Sequence, residues 1–228
     1  MTWLAPALLA VAAALASMLG GVIVTSHRWA LKSLRYFMAL GSGFMLGAIF
    51  LEMLPEGWTR SANAAALVLV GYFVVHMFEH TFASHLHFGE ETHHDEVVSP
   101  VVGITALIGM LVHTFFDGVA IGASFRISAN LGILVFIAVF LHRIPDGFTI
   151  ASILVTGGHS TPQAIGATAA LGISTVAGVL VVNFIPGLEP YALPISAGSL
   201  LYVAATDLMP EVNREKGVWM ALLVFAGI

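Results

Sequence analysis

Two short phrases each carry a histidine four residues ahead of an Asp-Gly pair: HTFFDGVAIGAS at 113–124 and HRIPDGFTIASI at 142–153. On an α-helix, positions i and i+4 share one face, one turn apart. Each phrase therefore presents one imidazole beside one carboxylate: His113 with Asp117, and His142 with Asp146. Two imidazole nitrogens and two carboxylates form a donor set for a borderline divalent cation such as Zn²⁺, and also for Fe²⁺ or Mn²⁺. The chain has no cysteine, which excludes disulfides, thiolate metal sites and Cys nucleophiles. Hydrogen-bonded pairs that glue helices together would use the same residue types, but two copies on neighbouring segments favour a cation.

Both phrases lie inside long apolar stretches. Of the 228 residues, 58% are hydrophobic and 9% charged, against roughly 45–50% and 25% in soluble domains. With a mean hydropathy of +0.95, this is the composition of an all-α polytopic membrane protein. The length suffices for about eight spans of roughly 20 residues with short loops. Four ionisable groups inside such spans are costly and mark a functional site. No basic stripe suggests nucleic acid.

The expected spans are 3–25, 36–54, 62–82, 100–125, 130–155, 163–185, 191–210 and one from about 218, in a single transmembrane domain covering 1–228. No Lys or Arg precedes Arg28, so the N-terminus reads as a first span and not as a cleaved signal. The residues after Gly217 are too few to cross roughly 30 Å at 1.5 Å each; the eighth span is expected to be short or to lack its tail. Pro145 should kink the fifth span. The one soluble-looking loop is 84–99. Arg28, Lys32, Arg35, Arg214 and Lys216 fall on the side of that loop, and Arg60 and Arg126 on the other. The positive-inside rule puts the first set in the cytoplasm and both termini outside; the expected location is a cell membrane, plasma or bacterial inner.

GFMLGAIFLEMLPE at 43–56 resembles GSLLYVAATDLMPE at 198–211, an offset of 155 that matches Glu52 with Asp207 and Glu56 with Glu211. The two metal-ligand phrases are offset by 29. Spans 2 and 7 cross in opposite senses, as do spans 4 and 5. Like segments in opposite orientation mark an inverted-topology repeat. Spans 1–3 should mirror spans 6–8 around central spans 4 and 5, whose phrases would meet near the midplane, where such transporters hold substrate.

HTFFDGVAIG and HRIPDG resemble the fourth and fifth helices of the ZIP (Zrt/Irt-like) divalent-metal transporters. LEMLPEG, YVAATDLMPE and a His-rich loop between spans 3 and 4 extend the likeness over nearly the whole chain. The resemblance implies an eight-helix bundle, both ends outside, a homodimer in the lipid bilayer, and uptake of zinc, or of iron, manganese or cadmium, into the cytoplasm. It also implies that helices 1, 4, 5 and 6 move as one block against the others, like an elevator. Three positions depart from the family. Many members have Asn where this chain has Thr114, an acid or amide at Arg143, and Glu at Thr175; those residues build a second metal site. Arginine keeps its charge in essentially any setting. A site for a single ion is expected, with Arg143 standing in for the second cation and pairing with Asp117 or Asp146.

His76, Glu79 and His80 share helical spacing and form a possible accessory metal site. His85, His87, His93 and His94 on the cytoplasmic loop could bind metal loosely. Two other classes of function use the same four central residues: an intramembrane metal-dependent hydrolase, although no HExxH occurs, and a metal sensor that does not transport.

Overall fold

In hydrocarbon no water is available to a backbone amide, so an apolar segment satisfies its own N–H and C=O groups by coiling into a helix. The computed structural model describes residues 4–25, 31–82, 100–214 and 217–228, and among these it is helical apart from short turns, with no strand. In chain order come α1 (Leu4–Thr25), α2 (Leu31–Gly47), α3 (Leu54–Arg60), α4 (Ala64–Phe82), α5 (Pro100–Ile127), α6 (Ala129–Thr156), α7 (Thr161–Phe184), α8 (Glu189–Tyr202), α9 (Met209–Arg214) and α10 (Val218–Gly227). Six helical stretches are long and apolar enough to cross a membrane, and the apolar parts of α4 and α10 are shorter. Helical segments thus occupy all eight places where spans are expected. The 84–99 loop lies outside the described residues.

Two spans run further than their sequence suggests. The second and seventh were expected to stop near 54 and 210, at Leu-Pro-Glu and Met-Pro-Glu. Instead α2 continues through a π-helical segment, Ala48–Met53, into α3, and α8 continues through Val203–Leu208 into α9. The backbone N–H of Leu54 reaches Ile49 O, and that of Met209 reaches Ala204 O. Each proline falls in the first turn after a π segment, where the regular ladder is already interrupted, so it ends nothing. Pro145 likewise leaves α6 continuous from Ala129 to Thr156.

The two π segments are themselves displaced by 155 residues, the offset of the sequence repeat. Helix packing obeys the same exchange. α1 packs on α6 as α7 packs on α5, and α4 packs on α8 as α10 packs on α2. The close crossings match residue by residue. A Cβ at Gly147 would lie 1.8 Å from Ser17 O, and one at Gly118 would lie 1.9 Å from Thr175 O. In return, a Cβ at Gly20 would meet Ile144 O at 2.2 Å, and one at Gly178 would meet Phe115 O at 2.1 Å. Such contacts exist only because glycine lets two backbones touch.

These crossings tie the helices in pairs. The pairs α1–α6 and α5–α7 also pack on each other, α1 on α7 and α5 on α6, and form a first body. Outside it, α2 pairs with α10 and α4 with α8 by equivalent crossings, in which Cβ atoms at Gly43 and Gly198 would each fall 1.9 Å from a carbonyl oxygen, Val224 O and Val68 O; these four helices make up the second body. Where the bodies meet, the approach is ordinary: a Cβ at Gly41 would stand 3.4 Å from Leu141, and one at Gly109 3.6 Å from Glu79.

Candidate metal site

The first body holds the two phrases. A single residue, Ser128, separates α5 from α6; its hydroxyl caps α6 by accepting from Leu131 N–H at 3.1 Å. That tight hairpin, with the crossings at Gly118 and Gly147, sets the two His-Asp faces against each other. His113, Asp117, His142 and Asp146 are all buried, and each offers one ligand atom within 4.8 Å of the other three. His113 Nε2 lies 3.3 Å from Asp117 Oδ2 and 3.6 Å from Asp146 Oδ2. His142 Nε2 lies at the same two distances from the same two oxygens. Donors about 2.1 Å from a tetrahedral zinc stand about 3.4 Å apart. Four of the six edges of such a tetrahedron are therefore present.

The imidazole of His142 is oriented from behind. Its Nδ1 lies 2.9 Å from Ala138 O. A carbonyl only accepts, so Nδ1 carries a proton and Nε2 is the nitrogen left to face the carboxylates and bind a cation. That tautomer is the one a metal requires.

Arg143 is fully buried beside the cluster. Its Nη2 donates to Asp117 Oδ2 at 2.6 Å and to Thr175 Oγ1 at 2.9 Å, and its Nη1 reaches Asp146 Oδ2 at 3.4 Å. The Thr175 hydroxyl in turn donates to Leu171 O at 3.1 Å, so the contact fixes the guanidinium to α7. Thr114 turns back to its own helix and donates to Leu111 O at 3.1 Å. The pairing expected of Arg143 is thus present with both carboxylates at once.

The other expected residues lie apart. His76 stacks edge-on against Phe73 and Tyr202, and the Tyr202 hydroxyl donates to Glu79. These side chains do not join the four-residue group. The side chain of His80, and His85, His87, His93 and His94, lie outside the described residues. Glu56 pairs with Arg60 at 2.6 Å, and Glu211 pairs with Arg35 and Arg214, both at 3.1 Å. Those acids are structural partners at helix ends. Asp207 lies within electrostatic reach of Glu79, His113 and Asp146; the repeat, which matches it with Glu52, was its only signal in the sequence.

Comparison with known proteins is consistent with this geometry. A family model described as the ZIP zinc transporter matches residues 89–228. The chain is 30% identical over 225 residues to zinc transporter ZIP13 of Pongo abelii, covering 88% of this chain and 65% of that protein. It is 38% identical over 139 residues to zinc transporter SLC39A7 of Mus musculus, covering 56% of this chain and 29% of that protein. It is 26% identical over 234 residues to zinc transporter YKE4 of Saccharomyces cerevisiae, covering 85% of this chain and 68% of that protein. The chain thus spans just under two thirds of the first relative and less than a third of the second.

Proposed function

The chain belongs to the ZIP zinc transporter family, and from that premise we propose that it carries zinc, or a similar divalent cation such as iron, manganese or cadmium, across a cell membrane into the cytoplasm. The observation that carries this reading is the buried, close-set group of His113, Asp117, His142 and Asp146. Two carboxylates and two imidazoles replace the water that the ion leaves behind, at a depth where no other solvation is available.

Arg143 makes the site a one-ion site. It occupies the position where a second cation would neutralise Asp117 and Asp146, and it does so permanently. A second divalent ion there would meet a fixed charge of like sign. Thr114 and Thr175 contribute no charge to such a second site.

Loop charges set the orientation, with the His-rich loop 84–99 and both Arg35 and Arg214 in the cytoplasm and both termini outside. The two bodies described above supply the moving parts. The body of α1, α5, α6 and α7 carries the ion, and the other body stays with the membrane as a homodimer scaffold, in keeping with the family. An ion released inward meets His85, His87, His93 and His94 on the loop.

Zinc uptake into liposomes containing the purified chain tests the proposal. Uptake should exceed that of empty liposomes and fall at least tenfold in Asp117→Ala and Asp146→Ala. Uptake indifferent to both substitutions would overturn it.

A further inference from the structure

We propose that the ion pair between Arg126 and Glu189 is a latch that holds the outer ends of the two bodies together and must part before the site opens outward. The proposal rests on the two-body reading above. Arg126 lies in the last turn of α5, on the ion-carrying body. Glu189 lies in the first turn of α8, on the other body. Arg126 Nε donates to Glu189 Oε1 across the seam.

The pseudo-symmetry shows that this pair is an addition to the fold and not one of its requirements. By the offsets of 29 and 155, the inward counterparts of Arg126 and Glu189 are Val155 and Leu34. Both are apolar, so the equivalent seam at the cytoplasmic end has no ion pair at this place. The fold provides two seams of like construction, and sequence has fastened one of them. The other ion pairs described, Arg35–Glu211, Arg60–Glu56 and Arg214–Glu211, stay within the second body, and those of Arg143 stay within the first.

The latch can also open without stranding a charge. Arg126 borders a cavity of about 150 Å³ at the same end of the first body, lined by Pro6, Gly122, Phe125, Val179 and Asn183. Arg126 and Asn183 line that cavity together, so a released guanidinium has a polar neighbour within the same space. A partly exposed ion pair of this kind shifts an equilibrium by about two- to fivefold, enough to bias two states of a carrier without locking it.

The absence of native cysteine permits a direct test. In Arg126→Cys/Glu189→Cys, a short bis-thiol crosslinker should join the two positions and lower zinc uptake at least tenfold, with uptake restored by a reducible linker and reductant. Failure to crosslink, or crosslinked protein that transports as fast as the reduced form, would overturn the latch. Absence of uptake in the unaltered chain would instead count against the transport reading. A second measurement does not depend on transport. Ser124, fully buried two residues before Arg126, is replaced by Cys and labelled with a membrane-impermeant thiol reagent. Adding Glu189→Gln should raise the labelling rate two- to fivefold, and Arg126→Glu/Glu189→Arg should return it to the starting value. An unchanged rate in Glu189→Gln contradicts the proposal.

Discussion

Arg143 Nη2 lies 2.6 Å from Asp117 Oδ2, the same carboxylate oxygen that His113 and His142 approach at 3.3 Å. One oxygen is thus shared between a permanent cation and the two imidazoles of the site. Taking one partner from a buried ion pair leaves an uncompensated charge and typically costs about 3–5 kcal/mol.

Arg143→Gln should therefore move two measurements in opposite directions. Thermal unfolding of the metal-free protein in detergent should begin well below that of the unaltered chain, because Asp117 and Asp146 lose their shared counter-ion. Zinc affinity in calorimetry should rise at least tenfold, because the ion no longer faces a like charge. A loss of stability together with a loss of affinity would mean that Arg143 merely shapes the site.

Gly118→Ala and Gly147→Ala should each be severe. The new methyl groups would lie 1.9 and 1.8 Å from backbone carbonyl oxygens, and backbone cannot move aside as a side chain can. Overpacking of this kind costs about 3 kcal/mol or more. Gly166 is the matched control on α7: a Cβ there meets nothing within 4 Å, and Ala should be neutral or stabilising by up to about 1 kcal/mol. Melting temperatures of the three variants side by side decide the matter.

Zinc binding should weaken steadily as pH falls. A metal takes deprotonated carboxylates and neutral imidazoles, so protons and zinc compete for the same four side chains. The dissociation constant measured across a pH series should rise toward acid, and protons should be released on binding near neutrality. A pH-independent constant would place the ion elsewhere.

Much of this site was legible in the sequence because helical spacing fixes which side chains share a face. His113 and Asp117, like His142 and Asp146, sit one turn apart whatever surrounds them, and a repeat placed on consecutive spans brings the two faces together. The charge of Arg143 beside those acids similarly left it few partners. The π segments were not legible. Each is a local change of hydrogen-bond partner within an apolar helix and leaves no mark in composition, so Pro55 and Pro210 looked like helix ends. Nor did spacing show that Tyr202 would claim Glu79 and pack against His76, because that depends on how α8 meets α4. The Arg126–Glu189 contact was hidden for the same reason: two charged residues 63 positions apart become neighbours only once the bodies are packed.

The number of zinc ions held by the purified chain tests the one-ion site most directly. It should be measured with His85, His87, His93 and His94 replaced by Ala, so that the loop adds nothing to the count. The account predicts one tightly held zinc per chain, lost in both Asp117→Ala and Asp146→Ala. Two tightly held ions, or one that survives those substitutions, would contradict it.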